Sequence, residues 1–134
     1  MRKLPTVGDH MDKFVPTLTK DMKILDAVDF LLSHRVTSAP VVDSRDRLIG
    51  ILSEKDCLKL LTMDATEENL SGNVENFMST TVTTCRPKMD IYFAAGIFLG
   101  RDFRRLPVVD DEGKLIGAIT RFDILRVIKS HLRS

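Results

Sequence analysis

Two short stretches of this 134-residue chain set a hydroxyl three residues ahead of a carboxylate: RLIGILSEKD, residues 47–56, and KLIGAITRFD, residues 114–123. In each, an apolar run of strand character ends at Ser53 or Thr120, and Asp56 or Asp123 follows. At the head of a helix this pair has two uses. The hydroxyl can accept from free N–H groups of the first turn, and an acid at the third helical position faces the positive end of the helix. Capping alone accounts for the residue types. Yet the acid is Asp both times, where Glu or Gln has the longer reach for a reciprocal cap. The hydroxyl also emerges where a strand gives way to a helix, the place where sheet proteins gather ligands. A hydroxyl at a helix start suits a phosphate, and an acid one turn in suits the paired hydroxyls of a ribose.

The two stretches belong to a longer internal repeat. Shifting the sequence by 67 positions aligns residues 11–58 with 78–125 without a gap, and sixteen of the 48 pairs are identical. Chance at average residue usage gives roughly 5–6%. The densest agreement is Pro40-Val41-Val42-Asp43 with Pro107-Val108-Val109-Asp110, then Leu48-Ile49-Gly50 with Leu115-Ile116-Gly117. Two copies make a pair, because a solenoid generally needs three or more.

Each copy predicts the same elements. A short extended piece, Val15–Leu18 or Val82–Cys85, leads to a helix with an apolar stripe at spacings of three and four. The stripe is Ile24, Ala27, Val28, Leu31 and Leu32 in the first copy and Ile91, Ala94, Ala95, Phe98 and Leu99 in the second. Two apolar runs of strand length follow, joined by a polar turn that ends on Asp46 or Gly113, where a left-handed residue is needed. A second helix carries Leu58, Leu60 and Leu61, or Ile124, Leu125 and Ile128. The order is strand, helix, strand, strand, helix, twice: an α/β (α+β) chain. Met63 to Asn73, polar and holding Gly, Ser and Thr, reads as a surface connector in which TEENL has helical character.

The duplicated PVVD…LIG…[ST]xxD unit resembles a tandem pair of CBS domains, the Bateman module, over roughly residues 7–60 and 74–131. The lead-ins VGDHM and VENFM, each ending in Met, fit the same family. The resemblance divides the chain into a first repeat over 7–63, a connector over 64–73 and a second repeat over 74–131. It implies two βαββα units packed sheet to sheet about a pseudo-twofold axis, with two clefts between them. It further implies a stand-alone regulatory module that binds AMP, ADP, ATP or S-adenosylmethionine and signals by conformational or dimer change. A homodimer, a disc of four repeats, is expected with it, along with a regulated protein of unknown identity. Residue by residue, the ribose role falls on Asp56 and Asp123, and phosphate or ribose contact on Ser53 and Thr120. The border of the adenine falls on Ser38, Ala39 and Pro40, on Arg105, Leu106 and Pro107, and on Thr17 and Thr84. No cofactor or metal is required by it.

The copies differ where a phosphate would lie. The second has Arg101, Arg104 and Arg105 ahead of its strand and Arg121 after Thr120, while the first has His34, Arg35, Thr37 and Ser38, with Glu54 after Ser53. Guanidinium groups near a helix start favour an anion and an acid does not, so Arg104 and Arg121 are expected at the phosphate end of a site.

Other functions find less support. The formal net charge of +1 gives no whole-molecule basic footprint, so RDFRR, residues 101–105, is weak ground for nucleic acid. His10, His34 and His131 are scattered without metal-ligand spacing, and no nucleophile–base pair stands out; a non-enzyme is expected. The longest apolar stretch, Ile91 to Leu99, is short of the ~20 residues that span a membrane. Cys57 and Cys85 lie outside any CxxC pattern and read as reduced thiols, so a cytoplasmic protein is expected. The rival to a ligand-binding module is a ligand-free dimeric interaction scaffold, with the [ST]xxD pairs as caps and nothing more.

Overall fold

The repeated PVVD and LIG runs form hairpins, and the acid that ends PVVD closes their turns. Asp43 Oδ1 accepts the amides of Arg45 and Arg47, and Asp110 Oδ1 those of Glu112 and Lys114, each at 2.9 Å. The amide of Arg47, ahead of its guanidinium, holds the Asp43 carboxyl below its ordinary range. The left-handed residue is Asp46 (φ 61°) in one turn and Gly113 (φ 81°) in the other, the positions expected from the sequence.

The computed structural model describes residues 4–62 and 72–132. In chain order its elements are α1 (Val7–His10), β1 (Leu18–Thr19), α2 (Ile24–His34), β2 (Ser38–Val42), β3 (Leu48–Ser53) and α3 (Glu54–Thr62). A 3-10 turn (Val74–Asn76) precedes α4 (Ile91–Gly100), β4 (Arg105–Val109), β5 (Leu115–Thr120) and α5 (Arg121–Leu132). Most of the expected connector, residues 64–71 with TEENL, lies outside the described residues.

Two compact units result, and each draws a segment from the other repeat. The first holds residues 16–62 and 72–82; the second holds 4–15 and 83–132. In the first, β1 runs parallel to β2 with Leu18 opposite Val41, and β2 runs antiparallel to β3 with Ser38 opposite Ser53. Ser79, just after the second lead-in, joins the free edge of β3 through a reciprocal pair of 2.9 Å bonds with Ile51. In the second, β4 and β5 pair with Arg105 opposite Thr120, and Cys85 bridges Val108 in parallel. Asp12, just after the first lead-in, bonds Ala118 on the edge of β5 in the same way, at 2.9 Å.

Glycine makes these edge contacts possible. A Cβ on Gly50 would lie 2.7 Å from Met78 Sδ and 2.9 Å from the Ser79 carbonyl oxygen. On Gly117 it would lie 2.7 Å from both Met11 Sδ and the Asp12 carbonyl oxygen. Neither approach leaves room for a side chain.

The cores follow the expected stripes with one correction. Leu18, Ile24, Ala27, Leu31, Val41 and Leu52 are buried in the first unit, and Cys85, Ile91, Ala94, Phe98, Val108 and Ile119 in the second. Leu32 and Leu99, expected within those stripes, are 71% and 90% exposed. They fall on a second row, with Leu25 and Tyr92 seven residues before them, turned about 100° from the core-facing one. Leu58, Leu61, Leu125 and Ile128 are exposed too, so the same four positions of each repeat face outward.

Candidate functional site

Antiparallel pairing brings the end of β3 beside the start of β2, and the end of β5 beside the start of β4. In the first unit this sets Ser53 against Ser38. Thr17, one residue ahead of the parallel β1, lies at the level of Pro40. Asp56 sits in the first turn of α3. One sheet end therefore gathers Thr17, Ser38, Ala39, Pro40, Ser53 and Asp56. In the second unit, the Cys85 amide donates to the Pro107 carbonyl at 2.8 Å, placing Thr84 at the equivalent end with Arg105, Leu106, Pro107, Thr120 and Asp123.

The hydroxyl and the carboxylate bind each other. The amide and hydroxyl of Ser53 donate to Asp56 Oδ2 at 2.9 and 3.0 Å, and the Asp56 amide donates back to Ser53 Oγ at 3.2 Å. Thr120 and Asp123 repeat the arrangement at 2.8, 3.0 and 3.3 Å. Asp thus closes a reciprocal cap that the sequence reserved for the longer Glu or Gln. It reaches because the hydroxyl as well as the amide turns toward it.

One carboxylate oxygen is left over in each box. Asp56 Oδ1 stands 3.7 Å from Lys59 Nζ, and Asp123 Oδ1 accepts from Arg126 Nη1 at 2.8 Å. Both Asp side chains are 13% exposed, and both cations lie well out in solvent. Sequence reasoning passed over Lys59 and Arg126, although a cation three residues after an acid on a helix is a readable signal. The outer oxygen is a carboxylate acceptor at the mouth of a strand-to-helix turn, with an exposed cation beside it. A pair of hydroxyls is a suitable donor for it.

The remaining candidates divide by burial. Ala39, Pro40, Leu106 and Pro107 are buried, so their side chains belong to the core and only their backbone can meet a ligand. Ser38 and Arg105 are half-buried at the rim. The Glu54 amide at the start of α3 donates to the Thr37 carbonyl at 2.8 Å, which leaves that helix start less free for an anion than its sequence suggests. Arg121 donates from Nε to the Phe103 carbonyl at 2.9 Å and approaches Asp102 at 3.4 Å, so it braces residues 102–103 against α5. Arg104 is exposed and, among the described residues, has no ion-pair partner.

Other chemistry is sparse. Among the described residues no group of three His, Cys, Asp or Glu gathers to hold a metal. Nor is any helix there long and apolar enough to cross a membrane. Burial, and then the neighbouring Asp56 carboxylate, push the Cys57 thiol up, away from a reactive thiolate.

Comparison with known proteins agrees with this duplicated geometry. The CBS domain family model matches residues 7–62 and again 74–130. The chloroplastic CBS domain-containing protein CBSX1 of Arabidopsis thaliana is 31% identical over 96% of the chain, which spans 66% of that protein. The crystal structure of CBSX2 in complex with AMP superposes with a TM-score of 0.85 at 30% identity, covering 97% of this chain and 99% of that one. The CBS domain pair of protein MJ0100, in complex with 5-methylthioadenosine and S-adenosyl-L-methionine, superposes at 0.73 with 26% identity, over 96% and 98% of the two chains.

Proposed function

This chain belongs to the CBS domain family, and from that premise we propose that it is a regulatory module that binds an adenosine-containing ligand and performs no catalysis. The carrying observation is the pair of sheet-end boxes, each leaving one Asp carboxylate oxygen, Asp56 Oδ1 or Asp123 Oδ1, beyond its cap. The ribose hydroxyls donate to that oxygen, displacing Lys59 or Arg126, which swing toward the phosphate. The adenine lies along the backbone of Ser38–Pro40 or Arg105–Pro107, with Thr17 or Thr84 beside it. Arg104 and Arg105 make the second unit the better host for an anionic tail. AMP, ADP, ATP and S-adenosylmethionine all present the required ribose, and the relatives solved with AMP and with S-adenosyl-L-methionine support the class.

The module acts as a homodimer that transmits occupancy to a regulated protein. In support, the same four outward positions of each repeat are apolar: Leu25, Leu32, Leu58 and Leu61, and Tyr92, Leu99, Leu125 and Ile128. Rows of this kind mark contact surfaces. Two free thiols suit a reducing, cytoplasmic setting.

Titration calorimetry with AMP, ADP, ATP, S-adenosylmethionine and NAD tests the reading. Binding of at least one at micromolar concentration, lost in Asp56→Ala or Asp123→Ala, is expected. A second reading, a ligand-free scaffold, draws on the fact that each hydroxyl and its Asp cap the helix start between themselves. Silence from all five compounds would favour it.

A further inference from the structure

The rims of the two boxes are closed by different means. In the first unit α2 ends on left-handed Arg35 (φ 52°), and the Val36 amide donates back to the Leu31 carbonyl at 3.1 Å. The Thr37 carbonyl then accepts from the Glu54 amide at 2.8 Å, so the start of α3 is spent on its own backbone. In the second unit α4 ends on extended Arg101 (φ −140°), and no equivalent bond joins Arg104 to the Arg121 amide. A side chain holds the loop instead: Arg121 Nε donates to the Phe103 carbonyl at 2.9 Å, and Nη2 stands 3.4 Å from Asp102.

The rims also differ in charge. Arg35 and Glu54 occupy the positions that Asp102 and Arg121 hold in the second repeat, so that pair keeps a net charge of zero with its signs exchanged. The imbalance lies in the other three positions, where His34, Thr37 and Ser38 face Arg101, Arg104 and Arg105. With His neutral, the five positions carry a formal 0 in the first unit and +3 in the second. Adding Lys55, which Phe122 replaces, narrows the difference to two charges of the same sign.

We propose that the two boxes sort adenosine ligands by the charge of the 5′ substituent: the second unit takes a phosphorylated adenosine, and the first takes one with a cationic tail, such as the sulfonium of S-adenosylmethionine. The inference rests on the adenosyl reading above and deepens it by assigning a ligand class to each unit. The carboxylate acceptor is common to both boxes, so selection falls to the rim. Among the described residues Arg101, Arg104 and Arg105 have no ion-pair partner and can turn to a phosphate. A sulfonium there meets three cations and one rim acid, Asp102, which Arg121 already engages. In the first unit exposed Glu54 has no ion-pair partner among the described residues and is available to a cation. Arg35 gives a phosphate one guanidinium there, beside a helix start that Thr37 has closed.

Titration calorimetry of the full chain with ATP and with S-adenosylmethionine, each alone and then in the presence of the other, tests the sorting. The parent is expected to bind both at once, neither displacing the other. Asp123→Ala should weaken ATP roughly a hundredfold and leave S-adenosylmethionine unchanged, and Asp56→Ala should do the reverse. Because both variants also lose a cap, circular dichroism melts establish that each is folded. Glu54→Arg leaves the box intact and is expected to weaken S-adenosylmethionine roughly tenfold at low salt, with the gap narrowing at high salt. If the two ligands displace one another, if only one of them binds, or if both Asp variants lose both alike, the sorting is wrong while the adenosyl reading stands. An unchanged S-adenosylmethionine affinity in Glu54→Arg would overturn the rim as its cause. If AMP, ADP and NAD are silent as well as these two, the adenosyl reading itself fails, and the sorting with it.

Discussion

Asp56 and Asp123 are held alike, each with Oδ2 inside a capping box, but their surroundings diverge. A lysine stands 3.7 Å from the first and an arginine 2.8 Å from the second. Across the strand pair, Ser53 faces Ser38 and Thr120 faces Arg105. The next residue is Glu54 in one unit and Arg121 in the other. The same fold therefore carries one carboxylate acceptor twice and one cationic rim once. A repeat preserves what its local geometry requires and is free to vary the charge around it.

The sharpest way to break this comparison is to remove the shared element. Asp123→Ala and Asp56→Ala each lose the outer acceptor and the cap together. Charge-assisted hydrogen bonds to paired hydroxyls contribute about 3 kcal/mol, so affinity at the altered unit should fall roughly a hundredfold. The lost cap should cost only about 1 kcal/mol of stability. Calorimetry and melting on the same samples separate the two. An affinity loss no larger than the stability loss would leave Asp a structural cap alone.

The second test concerns the edges. Gly50→Ala and Gly117→Ala each push a Cβ into a carbonyl of the segment bonded along the sheet edge, at 2.9 and 2.7 Å, so a loss of about 1–3 kcal/mol is expected from overpacking. The Gly117 variant should be the worse of the two, because the Asp12 carbonyl is closer than that of Ser79. Denaturant midpoints would show it, and equal losses would mean that the flexible methionines, not the backbone, set the limit.

Exchanging the rims gives a smaller, directional effect. Arg105→Ser should weaken ATP more than AMP by about 1 kcal/mol, roughly fivefold, and Ser38→Arg should favour ATP by a like amount at the first unit. Competition titration of the two nucleotides reads this ratio. A ratio unchanged in both variants would remove the cationic rim from the account.

What was legible in the sequence was local. Asp43 and Asp110 close their own turns within four residues, and Gly113 supplies the left-handed position, so the hairpins could be read from the repeat. The [ST]xxD residues could be placed at the sheet ends for the same reason. The crossing of the lead-ins could not. Met11 meets Gly117 and Met78 meets Gly50, whereas repeat-by-repeat reading would join Met11 to Gly50. Nothing in either segment's own residues distinguishes the two hairpins, since both present the same LIG edge. Leu32 and Leu99 were assigned to the core because apolar periodicity cannot tell a stripe facing the sheet from one awaiting another surface.

The least disruptive comparison lies in the cores. Position 18 of the first repeat is Leu and its counterpart at 85 is Cys, and both are fully buried where the chain pairs alongside the PVV run. Burial pushes the Cys85 thiol up to about 11 from an ordinary 9.0. Folding thus favours the protonated thiol, and its contribution is fully present below the unfolded value. As pH rises from about 9 through 11 the unfolded chain releases this proton first, so the contribution is lost across that window. Leu18 has no proton to lose. Denaturation between pH 8 and 11 should therefore show a decline in the parent protein that is shallower in Cys85→Leu, whatever the remaining tyrosine and lysines contribute to both. Equal slopes in the two proteins would mean that the thiolate finds water in the folded second unit, and that its core opens where the first unit's, at Leu18, stays closed.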